Sequence, residues 1–325
     1  MLMTEIKWGI IGCGDVTEVK SGPAFNKAPN SSLVAVMRRD TAKAEDYAKR
    51  HQVPKWYSDA DQLINDPEVN AVYIATPPLQ HEEFTIKALA AGKPVYVEKP
   101  MALNSDAAKR MVAAAQQYGV KLSVAHYRRE QPLFLKIKTL LEEKAIGDVR
   151  FVNLQMLQPQ QSDLIANAEE NWRTNPEIAG GGLFHDLAPH QLDLMCYYFG
   201  EIEKFDGIAL NQTGQNPVDD LVTGHILFKN GVVFNGTWCF TVAEEDQVDS
   251  CEIYGSKGKI SFPMFGHQIK VFIDGTEERL DFLPLTHVEQ PMIEKVVAYF
   301  LNEGKNPCSG EEAVKTMELL DGFTR

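Results

Sequence analysis

Over roughly the first 125 positions, short apolar runs alternate with longer stretches in which apolar residues recur every three or four places. Residues 7–11, 32–37, 71–75, 94–97 and 121–125 read as strands, and 41–50, 81–91 and 105–118 read as helices, with a further helix opened by Ser58 and Asp59. Strand and helix in steady alternation predict a doubly wound parallel sheet with right-handed crossovers. Beyond residue 126 the pattern changes. A helix over 133–144 is followed by runs at 148–157, 207–210, 221–228, 232–240, 250–254, 259–262 and 268–273. They are separated by short turns, with Lys229-Asn230-Gly231 as a hairpin signal. These runs predict a mostly antiparallel open sheet in an α+β domain. Two closing helices, 290–302 and 311–323, bring no recognisable chemistry. The expected fold class is therefore α/β, with domains at 1–125 and 126–325.

The run Pro94-Val95-Tyr96-Val97-Glu98-Lys99-Pro100 stands at the centre of this pattern. Its apolar positions end in a carboxylate, an amine and a proline that cannot continue strand pairing. Lys99 is thus delivered to the C-terminal edge of a parallel sheet, where ligands of open α/β sheets bind. At the same edge, residues 7–11 run into Gly12-Cys13-Gly14-Asp15-Val16-Thr17. Gly12 permits the tight turn and Gly14 lets backbone N–H groups approach a pyrophosphate, with Asp15 and Val16 opening the helix behind it. Thr17 replaces the third glycine of the usual fingerprint. Glycine pairs after strands are also common plain turns, so the surrounding alternation carries much of this reading.

The second strand ends in Arg38-Arg39-Asp40, where an adenosine ribose would lie. An acidic residue there would bind both ribose hydroxyls, whereas an arginine favours a 2'-phosphate. Arg38 and Arg39 accordingly predict NADP, with NAD left open by Asp40 close by. The third strand stops at Thr76-Pro77-Pro78, a stiff loop at the same edge, with His81 just beyond it.

Composition narrows the partners. A net charge of -13 repels polyanions, which argues against nucleic acid or an anionic membrane. No apolar run approaches spanning length, and residues 1–7 show neither a leader's apolar core nor a cleavage site. Five cysteines scattered without disulfide or metal spacing suit a reducing, cytoplasmic compartment, and no metal site is expected.

Three stretches in order make the chain resemble the Gfo/Idh/MocA family of oxidoreductases. They are Gly9-Ile10-Ile11-Gly12-Cys13-Gly14; Ala75-Thr76-Pro77-Pro78 and His81 followed by Glu98-Lys99-Pro100; and Trp172-Arg173 followed by the segment from Gly180 to His190 that contains His185-Asp186. The resemblance spans the chain. It implies a Rossmann domain, then a substrate-binding and oligomerisation domain. It also implies hydride transfer between a nicotinamide dinucleotide and a sugar, cyclitol or related small polyhydroxy substrate. On that basis Lys99, Asp186 and His190 are the expected catalytic residues. The cofactor would be held by Gly12, Gly14, Asp15, Val16, Arg38, Arg39, Thr76, Pro77, His81, Glu98, Lys99, Trp172 and Arg173, and the substrate by His126, Arg128, Asp186 and His190. The family's second sheet pairs subunits, which implies a homodimer or higher oligomer.

Asp186 and His190 stand four apart, on one face of any helix they share. His190 titrates in the right range to take or return a hydroxyl proton, and Asp186 would orient it or bind a substrate hydroxyl. Pro189 between them is tolerated most easily in a first helical turn, which would put Asp186 near the N-cap. By pattern alone such a pair is more often a surface pair or cap than a catalytic dyad, and Lys99 reads equally as a solvated strand-end lysine. Two other functions fit the same residues. One is a glycosidase of this family that retains NAD. The other is a non-catalytic dinucleotide sensor, which would have no use for Lys99, Asp186 and His190.

Overall fold

The computed structural model describes residues 3–160 and 172–324. Six strands form the first sheet: β1 (Ile6–Ile11), β2 (Ser31–Met37), β3 (Lys55–Tyr57), β4 (Ala71–Ile74), β5 (Val95–Val97) and β6 (Leu122–Val124). Their order is β3-β2-β1-β4-β5-β6 and every pairing is parallel. Helices α1 (Asp15–Val19), α2 (Thr41–Arg50), α3 (Ala60–Asn65), α4 (His81–Ala90) and α5 (Ser105–Tyr118) fall between the strands. The order reverses between β1 and β4, the place where such sheets open a crevice at their carboxyl ends. Local chemistry sets several boundaries. Asp40 caps α2 by accepting from the Lys43 N–H at 3.1 Å, and Gly119 ends α5 in the left-handed region.

The core of this unit is aromatic. Trp8 lies 4.8 Å from Phe25 and 5.6 Å from Phe300 between ring centroids, and Tyr73 stacks on Tyr96 at 5.2 Å. Phe300 belongs to α9 (Gln290–Phe300), far along the chain. Residues 1–131 and 285–317 cluster together as one unit. The domain division expected at residue 125 differs from this arrangement at both ends, because residues 126–131 and 285–317 pack with the nucleotide-type sheet. The reason lies at the sheet's open edge. There the Val124 N–H donates to the Cys308 carbonyl at 3.0 Å, Ser123 bridges Ser309, and buried Arg129 pairs with Glu312 at 2.9 Å. The returning segment covers an edge that would otherwise present unpaired backbone.

The second unit comprises residues 132–284 and 318–325. It contains β7 (Val149–Leu157), β8 (Ile202–Leu210), β9 (Leu221–Phe228), β10 (Val233–Cys239), β11 (Val248–Gly255), β12 (Gly258–Phe262), β13 (Gln268–Ile273) and β14 (Thr276–Asp281). They form one sheet in the order β14-β13-β12-β11-β7-β10-β9-β8, with β7 and β10 parallel and every other neighbour antiparallel. Helices α6 (Pro132–Glu142), α7 (Pro176–Ala179) and α8 (Gly182–Phe199) belong to it, and the last turns of α10 (Gly310–Phe323) return to it. The mostly antiparallel sheet agrees with the sequence reading. The edge strand β14 has almost no buried positions and lacks the alternation that marks its neighbours. Among the described residues, no helix is long and apolar enough to cross a membrane.

Alternate residues of β9 and β10 point inward, placing Phe234 and Trp238 beneath α8 and α10. Phe184 meets the Trp238 ring edge-on at 5.1 Å, and Phe323 lies 6.2 Å away. Gly207 and Gly224 make room for Phe323, since a Cβ on Gly224 would stand 2.2 Å from that ring. Replacing Phe323 with alanine is expected to destabilise the protein by about 3 to 5 kcal/mol, because two glycine-floored strands cannot collapse into the cavity. Chemical denaturation of the variant checks this, and a loss below about 1 kcal/mol would contradict it.

Candidate active site

In the first unit the site is built from strand ends. Gly12 has a φ of +95°, and a Cβ there would lie 2.8 Å from the backbone of Ala75 and Thr76, so the turn after β1 presses on the loop after β4. The Gly12 and Cys13 N–H groups both donate to the Met37 carbonyl, at 2.9 and 3.1 Å. Thr17 does more than replace a glycine. Its Oγ1 accepts from the Gly14 N–H at 3.0 Å and donates to the Gly14 carbonyl at 2.8 Å. The Gly14 N–H is therefore committed within the turn. The donors of the turn are the N–H groups of Asp15 and Val16, the first positions of α1, which have no carbonyl four residues back within the helix. A Cβ on Gly14 would meet nothing nearer than 4.0 Å, which leaves the space in front of those donors open to a phosphate.

Arg38 follows β2 and is half-buried, with Nη1 donating to the Cys13 carbonyl at 3.3 Å. Arg39 is exposed. Burial pushes the Cys13 thiol up to about 11, so it stays protonated as a small apolar side chain. Thr76 and Pro77 border the turn. His81 is turned into the protein. It is 1% exposed, with Nε2 2.7 Å from the Thr76 carbonyl and Nδ1 3.0 Å from the Pro100 carbonyl. Burial drives its pKa down to about 4. It lies between the two sheet-edge loops, with a ring nitrogen against a carbonyl of each.

Half-buried Lys99 follows β5 and precedes a cis peptide to Pro100. Glu98, expected as a partner charge, is buried beneath it. Its Oε2 accepts from the Lys99 backbone N–H at 3.2 Å, and its Oε1 accepts from the Tyr73 hydroxyl at 2.5 Å. Glu289, on the turn before α9, reaches the same cluster, with Oε2 3.4 Å from the Tyr73 oxygen. Burial raises the pKa of both carboxyl groups, opposed for Glu98 by Lys99 and reinforced for Glu289 by Glu98. The sequence reading missed Glu289 because a glutamate opening a helix near a chain's end looks like ordinary surface. His126 and Arg128, at the turn after β6, are 2% and 8% exposed, and the Arg128 guanidinium lies 5.8 Å from the centroid of the Tyr127 ring.

In the second unit, α8 carries Asp186 and His190 on adjacent turns. The helix begins at Gly182, and Pro189 lies inside it. Asp186 is thus well within the helix, which corrects the expectation of an N-cap. The proline is accommodated because the buried face of the helix, with Leu187, Ala188, Leu192 and Met195, holds it in place despite one lost backbone bond. Asp186 accepts from Arg173 Nε at 2.8 Å, and the Arg173 guanidinium covers the Trp172 ring at 4.5 Å. Trp172 and Arg173 therefore enter the same cluster as Asp186. His190 is 4% exposed, edge-on to Phe265 at 6.1 Å. His185 is buried and turned away, with Nδ1 3.2 Å from the Gly181 carbonyl, and burial lowers its pKa to about 4.

Comparison with known proteins accords with this geometry. The family model described as "Oxidoreductase family, NAD-binding Rossmann fold" matches residues 6–126, and the "GFO/IDH/MocA C-terminal domain" model matches residues 134–261. The chain is 50% identical over 320 residues to oxidoreductase P35 of Formosa agariphila, covering 98% of both chains. It is 27% identical over 260 residues to 1,5-anhydro-D-fructose reductase of Ensifer adhaerens, covering 78% of this chain and 74% of that one. A crystal structure of an oxidoreductase from Thermotoga maritima superposes with a TM-score of 0.87 at 26% identity, covering 98% of this chain and 95% of that one.

Proposed function

Because the chain belongs to the Gfo/Idh/MocA family of NAD-binding oxidoreductases, we propose that it moves a hydride between a nicotinamide dinucleotide and a CH–OH carbon of a sugar, cyclitol or similar polyhydroxy compound. The observation that carries this reading is the edge of the first sheet. The glycine turn, Arg38, the Thr76-Pro77 loop and Lys99 all stand at the carboxyl ends of β1, β2, β4 and β5. The 1,5-anhydro-D-fructose reductase relative supports a sugar-like substrate.

When bound, the dinucleotide supplies the acceptor or donor of hydride. The protein's own groups do the rest. The Asp15 and Val16 N–H groups would hold the pyrophosphate, and Gly12 keeps the turn that carries them tight. Lys99 places an ammonium at the sheet edge, where it stabilises alkoxide character on the reacting oxygen. His190 takes or returns the hydroxyl proton. Asp186, held by Arg173 and beside Trp172 in the second unit, binds a substrate hydroxyl, and His126 and Arg128 of the first unit are further substrate-binding candidates.

We assign NADP as the preferred cofactor. The Asp40 carboxylate is engaged in capping α2, whereas the Arg38 guanidinium is tethered beside the glycine turn, where a 2'-phosphate would find a bidentate partner. Replacing Arg38 with alanine is expected to reduce the NADP-to-NAD ratio of kcat/KM by about 10- to 100-fold, the scale of a lost charge-assisted contact at a partly exposed site. Steady-state assays with both cofactors check this, and an unchanged ratio would remove the assignment. Ile208, Leu210 and Val233 leave apolar surface exposed on the second sheet, which supports a homodimer or higher oligomer. None of the five cysteines is in a disulfide, which suits a cytoplasmic enzyme. Incubating a panel of sugars and polyols with each cofactor, while following reduced-nicotinamide absorbance, tests the whole reading. No turnover with any of them would overturn it.

A further inference from the structure

Beneath Lys99, two carboxyl groups from distant parts of the chain meet within the first unit, both almost wholly removed from water. Hydrogen-bond accounting constrains their protons. The single Tyr73 O–H has three oxygens in reach: Glu98 Oε1 at 2.5 Å, Ser21 Oγ at 3.1 Å and Glu289 Oε2 at 3.4 Å. The shortest contact marks Glu98 as the acceptor. Glu98 also receives the Lys99 backbone N–H, so both its oxygens have donors, as a carboxylate requires. Glu289 has no such pair of donors. Its Oε2 faces a tyrosine oxygen whose hydrogen is already given away, and its Oε1 is buried without a hydrogen-bond partner. A carboxylate in that position would leave one buried acceptor against a tyrosine oxygen and the other with no donor, whereas a carboxylic acid supplies a hydrogen of its own.

We propose that Glu98 and Glu289 hold one proton between them, resident on Glu289, and so form a counterion of single charge that positions the Lys99 amine. Two contacting buried carboxyls cannot both ionise without large cost, and burial raises the pKa of each. The other titratable groups facing the pair are Tyr73 on β4, Tyr96 on β5, Tyr127 after β6, and Lys20 and Lys99 on the adjoining turns. The three tyrosines are pushed upward by burial and stay neutral, so the compensating charges are the two lysines. Glu289 is fixed in place by its own N–H, which donates to the Lys20 carbonyl at 3.3 Å, and by neighbouring His287, whose Nδ1 lies 2.6 Å from the Val19 carbonyl. The same segment thereby ties the end of α1 to the support of Lys99. Glu98 and Glu289 are positioning residues, acting through Lys99.

This inference rests on the assignment of Lys99 above, but its test reads ionisation without turnover. Trace acetylation of Lys99 as a function of pH, followed by mass spectrometry, reports the charge felt by the amine in the intact protein. Glu289→Gln keeps a donor where the proposal has a protonated acid, so its acetylation profile is expected to overlay that of the unmodified protein. Glu98→Gln removes the one charge and is expected to move the profile about one pH unit lower. Equal shifts for both variants, or no shift for either, would overturn the proposal. Should a variant fail to fold, carboxyl carbon resonances of glutamate-labelled unmodified protein decide the matter. One acid and one carboxylate signal for this pair at neutral pH supports the proposal, and two carboxylate signals refute it. An enzyme inactive on every substrate would still give either answer.

Discussion

Replacing Lys99 with alanine is expected to lower kcat/KM by about 10²- to 10³-fold, with little change in dinucleotide affinity or in the thermal midpoint. The effect is confined to chemistry because of how the lysine is attached. Its backbone N–H, the group that bonds Glu98, survives the substitution, and so does the Pro100 that ends the strand. What disappears is the cation that the proposed reaction places against the reacting oxygen. Reduction adds hydride to carbon and leaves negative charge on the oxygen, and oxidation requires a base to take the oxygen's proton as hydride departs from carbon, so the loss falls on the transition state and appears in kcat. Steady-state rates and a fluorescence titration with dinucleotide separate the two quantities. Undiminished turnover in the variant would remove Lys99 from the chemistry, and a loss of affinity equal to the loss of rate would make Lys99 a cofactor ligand instead.

Acid is expected to weaken both units through histidines that burial keeps neutral. His81 in the first unit and His185 in the second have pKa values lowered from about 6.5 to about 4. The unfolded chain takes up these protons as pH falls below 6.5, while the folded protein refuses them until about 4. Stability held above the unfolded value is therefore lost progressively across that window. Each histidine accounts for up to about 3 kcal/mol over the full interval. Glu98 and Glu289 act in the opposite sense, since their raised values make the unfolded state lose protons first as pH rises. The histidine contribution is isolated by difference. Unfolding free energies of the unmodified protein and of His185→Gln should converge as pH falls from 6.5 to 4, and a constant gap would show that His185 is already charged when folded.

Much of this architecture was legible because its signals are local. The run ending at Glu98 and Lys99, the glycine turn after β1 and the glycine that ends α5 each declare themselves within a few residues, and the crevice follows from strand order. What escaped depends on partners distant in sequence. β14 is an exposed edge strand, so no alternation marks it. Pro189 was read by the rule for isolated helices, and burial of its neighbours overrode that rule. Asp186 and His190 were placed correctly on one helix by their spacing, yet nothing near Asp186 announced that Arg173 would hold it. Glu289 is the clearest case. Only the return of the chain to the first sheet turns a routine helix-opening glutamate into a buried acid.

That return also sets a timetable for biosynthesis. On the ribosome, residues 1–131 emerge well before the segment that covers the edge of β6 and packs Phe300 against Trp8. The first sheet thus waits for part of its own lining while the whole intervening sheet is synthesised.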